Sequence, residues 1–153
     1  MDGLVALQAA LDAGLVEMQR CGPYPELSML VDYPEGDFRL TYAVIEQGRV
    51  QAITSFVRTE SIAGLPCLSI GYAVAEPARG QGLATQTVAK AIDDLTIGLR
   101  RNTGGRPFYI EAIIGQSNLA SNRIATRLLS ESPKSGTDQI SGEPIYQYQK
   151  LIE

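Results

Sequence analysis

The segment from Leu68 to Leu99 constrains the fold of this chain most, because it passes from a strand pattern to a helix pattern across two glycines. Large and small side chains alternate between positions 68 and 75, which is the period of a β-strand, and Pro77 ends the run. Apolar residues then recur at helical spacing, at Leu83, Ala84, Val88, Ala91, Ile92, Leu95 and Leu99. The sequence therefore predicts a strand, a short turn and a long helix in direct succession.

The turn between this strand and this helix has the composition of an anion site. Gly80 and Gly82 fall where the backbone amides of a helix N-terminus lack intrahelical partners. The positive end of the helix dipole points to the same place, and glycine lets a phosphate approach the backbone. Arg79 adds a fork-shaped cationic donor. We therefore expect the turn to bind a phosphate group.

Composition limits the kinds of catalytic and metal site that this chain can form. The chain of 153 residues contains no histidine, which excludes the commonest general base, His-containing zinc sites and Ser-His or Cys-His nucleophile pairs. Its two cysteines, Cys21 and Cys67, are too few for a disulfide framework and lack metal-ligand spacing. The net charge of −4 disfavours broad nucleic-acid binding and mildly favours a cationic partner. No metal is expected.

Length and hydropathy predict one cytoplasmic domain. A chain of 153 residues suits a single domain spanning positions 1–153, long enough to bury about two-thirds of the surface that its unfolded chain exposes. It has no apolar run of bilayer length and no basic segment followed by an apolar one at the N-terminus. We expect no membrane association.

The elements before the central segment are a helix, a loop and a hairpin. A first helix is marked by an apolar stripe that ends near Gly22 and Pro23: Leu4, Leu7, Leu11, Leu15 and Met18. The segment Pro23 to Asp37 contains three prolines and indicates a loop, with a short helical turn around Leu27 to Val31. Phe38 to Glu46 and Arg49 to Arg58 are strand-like and joined at Gln47-Gly48, a hairpin signal.

The elements after the central helix alternate between strand and helix. A basic loop, positions 100–107, leads to a mostly apolar strand from Phe108 to Ile114. A helix runs from Leu119 to about Ser130, and the polar stretch from Ser130 to Pro144 indicates a long loop or an irregular hairpin. Ile145 to Ile152 alternates as a closing strand. The order of the elements predicts one α/β sheet.

Two motifs give the central segment a family resemblance. Arg79-Gly80-Gln81-Gly82-Leu83-Ala84 fits the R-x-x-G-x-A pattern with which GNAT (GCN5-related N-acetyltransferase) proteins hold the pyrophosphate of acetyl-CoA. Downstream, Asn118-Leu119-Ala120-Ser121-Asn122-Arg123-Ile124 looks like the N-x-x-S segment of the ribosomal-protein and amino-acid acetyltransferase branch. Both motifs stand at a strand-to-helix junction, as the family requires. The resemblance covers roughly Phe38 to Leu129.

This resemblance implies a fold and a set of ligands. The GNAT fold has a mixed, mostly antiparallel sheet of about six to seven strands, with helices on both faces and two splayed central strands. The implied donor is acetyl-CoA. Its expected ligands are the main chain of the central strand, the turn and the start of the last helix: Tyr72, Ala73, Val74, Arg79, Gly80, Gln81, Gly82, Leu83, Ala84, Thr85, Asn118 and Ser121. Arginines of the basic loop are secondary candidates for contact with the 3′-phosphate of CoA.

Glu111 is the first candidate for the catalytic base. It is a carboxylate in an otherwise apolar strand, and desolvation makes a carboxylate a stronger proton acceptor. It is also similar in position to a glutamate proposed as base in the ribosomal-protein-acetylating branch. A solvent-facing or arginine-paired carboxylate is the alternative. Glu60 and Glu46 are further candidates.

The acid that protonates the leaving thiolate has a different candidate from the usual one of the family. GNAT enzymes often have a tyrosine seven residues after the asparagine, and this chain has Ala125 there. In the branch with N-x-x-S the serine can lie near the sulfur, so Ser121 is the candidate, with helix capping as its alternative role. Tyr146 and Tyr148 on the closing strand are additional donors.

The resemblance predicts an acetyl-CoA-dependent N-acetyltransferase that transfers its acyl group directly to a primary amine, of a small molecule or a protein N-terminus. A non-catalytic CoA-binding sensor or interaction module is the alternative, because Ala125 removes one usual catalytic group. Acidic and aromatic residues in the segment Pro23 to Asp37 are candidates for receiving the amine, since this region lines the acceptor side in the family. A homodimer is expected only from the family.

Overall fold

The computed structural model of the protein describes residues 2–153, which form one eight-stranded sheet and three helices. The helices are α1 (Asp2–Asp12), α2 (Leu83–Thr103) and α3 (Leu119–Leu128). The strands are β1 (Gln19–Arg20), β2 (Ser28–Asp32), β3 (Arg39–Glu46), β4 (Arg49–Ile62), β5 (Leu65–Val74), β6 (Phe108–Gly115), β7 (Lys134–Thr137) and β8 (Pro144–Ile152). Their order in the sheet is β1-β2-β3-β4-β5-β6-β8-β7.

The sheet is antiparallel except where β5 and β6 pair in parallel. This confirms the predicted mixed, mostly antiparallel sheet. The strand count is higher than the predicted six to seven: the two-residue β1 lies where the first helix was predicted to end, and the four-residue β7 lies in the stretch predicted as a long loop or irregular hairpin. None of the helices in residues 2–153 combines the length and the hydropathy that a bilayer-spanning helix needs.

Two tight turns join β3, β4 and β5. Gln47 and Gly48 have φ of 51° and 76°, and Ala63 and Gly64 have φ of 51° and 77°. Two consecutive residues with positive φ form the type I′ turn, whose twist matches that of antiparallel strands. The hairpin predicted at Gln47-Gly48 is confirmed, and β4 continues past Arg58 to Ile62.

The alternation of side chains separates two cores on opposite faces of the sheet. On one face, α2 and α3 cover a large core that includes Tyr42, Phe56, Ile70, Val88 and Ile110. On the other face, α1 packs against β4 and β5 through a smaller core: Leu4, Leu7, Ala43, Val50 and Ile53. The prediction of helices on both faces is thereby confirmed.

Two local predictions are wrong. The first helix ends at Asp12 instead of extending to Met18, because Gly14 adopts a left-handed φ of 68° and Leu15 N donates to Ala10 O to close the helix. The segment predicted as a helical turn around Leu27 to Val31 forms the edge strand β2, which pairs with β3. Pairing with a neighbouring strand outweighed the weak local signal.

The two central strands separate after three paired positions. β5 and β6 pair only at Cys67 with Tyr109, Leu68 with Ile110 and Ser69 with Glu111. Beyond these pairs β5 continues to Val74 and β6 to Gly115 without pairing to each other. The expected splay of the central strands is therefore present, and it opens toward the N-termini of α2 and α3.

Candidate active site

The turn that joins β5 to α2 has the backbone that its glycines predict. Gly80 and Gly82 have φ of 79° and 73°, a region that costs other residues roughly 1–2 kcal/mol. Gly82 is the N-cap of α2, and the first helical hydrogen bond runs from Gln86 N to Gly82 O. The amides from Gly82 to Thr85 therefore precede the hydrogen-bond ladder of the helix. They can donate to an anion placed at the turn.

This turn forms one wall of a cleft of about 590 Å³. The end of β5 and the start of α3 complete the cleft. Eleven of the twelve residues predicted to bind the cofactor line it: Tyr72, Ala73, Val74, Arg79, Gly80, Gly82, Leu83, Ala84, Thr85, Asn118 and Ser121. Gln81 is exposed and is not among the lining residues. The structure thus brings the two sequence motifs together.

The α3 wall of the cleft is held by two asparagines with different partners. Asn118 is the N-cap of α3, and its Oδ1 accepts a hydrogen bond from Ser121 N at 3.2 Å. Asn122 Nδ2 donates to Gly115 O at 2.9 Å and to Asn118 O at 2.8 Å. Its Oδ1 accepts a hydrogen bond of 2.7 Å from the hydroxyl of Tyr148, which is 1% exposed. Asn122 therefore ties the start of α3 to β6 and β8.

Tyr72 connects the two walls. Its side chain lines the cleft, and its hydroxyl donates to Ser121 O at 2.7 Å. Burial raises the pKa of Tyr72, with a smaller contribution from Tyr148, so the hydroxyl remains protonated at neutral pH. The sequence predicted only a main-chain role for Tyr72. Its place on the large face of the strand, with Leu68 and Ile70, was the signal that its side chain faces α3.

Ser121 also lines the cleft, with a half-buried side chain. Within residues 2–153 its hydroxyl has no hydrogen-bond partner, so it can bind a ligand. Ala125, which stands where the family often has a tyrosine, is 1% exposed and packs in the large core. The Tyr148 hydroxyl donates its hydrogen bond to Asn122, and the Tyr146 ring packs edge-on against the Tyr148 ring. Two hydroxyls of the cleft lining, Tyr72 and Ser121, are thus candidates to act near a ligand.

The charge of the cleft is opposite to that of the whole protein. Among the lining residues, all within the described range 2–153, three are arginines and none is a carboxylate. Arg79 Nε donates to Val74 O at 3.3 Å, across the turn. Arg123 and Arg127 lie one helical turn apart on the exposed side of α3. Sequence analysis missed these two, although their spacing of four residues predicted a shared helix face.

Glu111 lies at the closed end of the splay, outside the cleft lining. It stands opposite Ser69, the last β5 residue that pairs with β6. Ser69 lies about 10 Å along β5 from Tyr72. Ile110 and Ala112 face α2 and α3, so Glu111 projects from the other face of the sheet. Gln147 Nε2 and Gln149 Nε2 each donate to Glu111 Oε2 at 2.9 Å. The carboxylate is half-buried and held in one orientation.

The other carboxylate candidates are not at the cleft. Glu60 is exposed near the β4–β5 turn, close to where β5 begins, whereas the cleft lies where β5 ends. The intervening strand spans about 20 Å, so the structure does not bring Glu60 to the predicted site. Glu46 is exposed at the β3–β4 turn and does not line the cleft.

The basic loop is also distant from the cleft. Arg100 and Arg101 are in the last turn of α2, and Arg106 follows it. The 21 residues of α2 separate them from the turn by about 30 Å. The structure therefore does not bring this loop to the cleft, and its contact with the 3′-phosphate of CoA stays a prediction.

The segment expected to receive the acceptor amine lies partly against α2. Tyr24 donates to Asp93 Oδ2 at 2.5 Å, and Glu26 pairs with Lys90 at 2.8 Å. Asp32 forms an ion pair with Arg39. These pairings commit Tyr24 and Asp32 to the fold, and neither residue lines the cleft.

Comparisons with known proteins agree with this geometry. Residues 17–128 match the family described as "Acetyltransferase (GNAT) domain". No curated protein sequence matches the chain. Among solved structures, a GNAT-family acetyltransferase from Streptococcus pneumoniae aligns at 12% identity and a TM-score of 0.57, covering 75% of this chain and 67% of that one.

Two further structures carry more specific names. Ribosomal-protein-S5-alanine acetyltransferase from Vibrio fischeri aligns at 16% identity and a TM-score of 0.55, over 75% of this chain and 61% of that one. RimL, a ribosomal L7/L12 alpha-N-protein acetyltransferase, aligns at 25% identity and a TM-score of 0.50, over 74% of this chain and 70% of that one. This chain therefore matches roughly two-thirds of the length of these structures. The family match spans most of its residues, and the chain belongs to the family of GNAT acetyltransferase domains.

Proposed function

We propose that this protein is an acetyl-CoA-dependent N-acetyltransferase that transfers the acetyl group directly to a primary amine. The observation that supports this most is the convergence of three features on one cleft. These are the amides at the α2 N-terminus, three arginines without a lining carboxylate, and two strands that diverge. An elongated, polyanionic thioester matches this combination.

The residues present fit acetyl-CoA. The amides from Gly82 to Thr85 and Arg79 would hold its pyrophosphate, and Arg123 and Arg127 add positive charge along α3. Tyr72, Ala73 and Val74 would offer main-chain groups to the pantetheine arm, because β6 does not pair with them. When bound, acetyl-CoA supplies a thioester carbon that is open to attack by an amine.

Glu111 is the proposed acceptor-side carboxylate. The amides of Gln147 and Gln149 both donate to its Oε2. This leaves Oε1 for the incoming amine or for a water next to it. Hydrogen bonds from Gln147 and Gln149 hold the carboxylate in one orientation. Glu111 would then attract the ammonium form of the acceptor and take one of its protons, directly or through water.

Ser121 and Tyr72 are proposed to act at the leaving thiolate. Both hydroxyls belong to the cleft lining, on the α3 side of the diverging strands. Ser121 can donate a hydrogen bond directly, and Tyr72 fixes the position of its backbone. This pair, on β5 and α3, would replace the tyrosine that usually protonates the thiolate in the family, because Ala125 has no hydroxyl and lies in the core.

Glu111 and one related structure indicate the class of acceptor. A primary amine is the group that Glu111 suits, and RimL, the relative at 25% identity, bears a name that describes action on a protein α-amine. We therefore place peptide N-termini first among the amines to test, with small-molecule amines second.

The first experiment measures thermal unfolding with and without acetyl-CoA. A ligand that binds only the folded state, at one hundred times its Kd, adds about 2.7 kcal/mol. The wild type should show this stabilisation. Gly82→Glu, which places a carboxylate in the anion site, should not.

The matched control is Gly104→Glu at the other end of α2. Gly104 also has a left-handed φ, 68°, so both variants introduce the same residue and a similar backbone strain. Only the position relative to the cleft differs. Gly104→Glu should therefore retain the stabilisation by acetyl-CoA. If the wild type shows none, the proposal fails.

Turnover separates an enzyme from a binding module. Thiol release from acetyl-CoA should depend on an added amine and should fall strongly in Glu111→Gln. Stabilisation by acetyl-CoA without thiol release for any peptide or small amine would instead indicate a CoA-binding module, for which the buried Ala125 is the supporting observation.

A further inference from the structure

A second cavity, of about 240 Å³, lies between the C-terminal end of α2 and the sheet. Its walls are apolar: Phe38, Leu68, Leu99 and Phe108. Leu68 and Phe108 belong to the large core and are 5% and 4% exposed. The cavity is therefore a pocket in the core wall, and it is separated from the acetyl-CoA cleft by the length of α2, about 30 Å.

Two arginines also line this pocket. Arg58 stands opposite Leu68 in the β4–β5 pair, and its side chain makes no hydrogen bond or ion pair within residues 2–153. Arg106 precedes β6 and also lines the pocket. It donates one hydrogen bond, to Gly64 O at 3.3 Å. No residue of the described lining is a carboxylate.

The nearby helix end does not supply an opposing charge of comparable size. The C-terminal end of a helix is partially negative, which disfavours an anion. The Arg100 carbonyl in this last turn already accepts hydrogen bonds from Gly104 N and Gly105 N, so part of that negative end is satisfied. Within the lining, the two exposed guanidinium groups are thus the charged groups that a ligand would meet.

We propose that this pocket binds a small monocarboxylate with an apolar body, such as an arylacetate. The apolar body would fill the space between Leu99 and the two phenylalanines, and the carboxylate would accept hydrogen bonds from Arg58 and Arg106. The volume suits a ligand smaller than a drug-sized molecule. Such a ligand cannot react at the cleft, so this site is separate from catalysis and does not depend on the proposed acetyltransferase activity.

The test is titration calorimetry of the protein with phenylacetate, compared with its neutral isostere phenylacetamide and with acetate. Phenylacetate should bind, and the other two should bind at least tenfold more weakly, because one lacks the charge and the other lacks the apolar body. Arg58→Gln and Arg106→Gln should each weaken phenylacetate binding by about tenfold. Arg101→Gln, an exposed arginine of the last turn of α2 outside the lining, should leave it unchanged.

A third variant tests the pocket itself. Thr103 lies on the rim and is exposed, so Thr103→Trp can fill the cavity without removing a core side chain. It should abolish phenylacetate binding while the far-ultraviolet circular dichroism stays that of the wild type. The proposal is overturned if phenylacetate does not bind, if phenylacetamide binds equally well, or if the arginine and tryptophan variants bind as the wild type does.

Discussion

Replacing Asn122 with aspartate should reveal how the α3 wall of the cleft is held. The carboxylate can still accept the hydrogen bond from Tyr148 but cannot donate to Gly115 O and Asn118 O. Losing the donation to the partly buried Gly115 O costs about 1–3 kcal/mol, and losing that to the more exposed Asn118 O about 0.5–1.5 kcal/mol, so we expect a loss of about 1.5–4.5 kcal/mol in all. For a chain of this size that corresponds to a Tm lower by about 3–18 °C.

The matched control is Asn118→Asp, at the N-cap of the same helix. Aspartate caps a helix as well as asparagine does, and its charge is favourable at a helix N-terminus. Its Tm should therefore remain near that of the wild type. Thermal unfolding followed by circular dichroism measures both variants. An Asn122→Asp protein as stable as Asn118→Asp would refute the assignment of Asn122 as the anchor of this wall.

Three further predictions concern charge and burial. Arg123→Gln and Arg127→Gln should each weaken acetyl-CoA binding about twofold to fivefold and reduce its salt dependence, whereas Arg101→Gln should not; equal salt slopes in all three variants, measured by calorimetry, would contradict this. Burial, followed by the charge of Glu111, raises the pKa of the Cys67 thiol from 9.0 to about 11. Between these values the unfolded chain loses the thiol proton and the folded chain keeps it, so urea-unfolding stability should fall as pH rises, more steeply than in Cys67→Ala. Tyr42→Phe removes the hydroxyl that donates to Asp94 Oδ2 at 2.5 Å and should cost about 1–3 kcal/mol in urea unfolding, whereas Tyr33→Phe, at a side chain 64% exposed, should cost almost nothing.

The parts of the fold that local physics determines were predictable from the sequence. Alternation and two glycines located β5, the phosphate-type turn and α2, because strand pleating and positive φ act on neighbouring residues. The turn at Gln47-Gly48 was predictable for the same reason. The cleft residues followed from two short motifs, each at a strand-to-helix junction, and the chain fold brought them together.

The parts that depend on distant partners were not predictable. β2 is a strand because β3 offers it an edge, and its own residues show no clear alternation of burial. Glu60 looked like a site residue from its type, but its distance from the cleft depends on how far β4 and β5 extend. The pairing of Glu111 with Gln147 and Gln149 joins positions 36 and 38 residues apart, which only the β6–β8 register fixes.

The early separation of β5 and β6 also bears on how this protein avoids aggregation. It gives the sheet two interior edges in addition to the outer edges at β1 and β7. Unpaired strand edges are templates for pairing with other chains, and proteins commonly protect them. The outermost strands are only two and four residues long, and part of β2 and part of β8 lie beyond them without an outer neighbour. The interior edge of β5, at Tyr72, Ala73 and Val74, is half-buried and belongs to the lining of the cleft. A ligand that occupies the cleft would therefore also cover this edge and keep it from pairing with another chain.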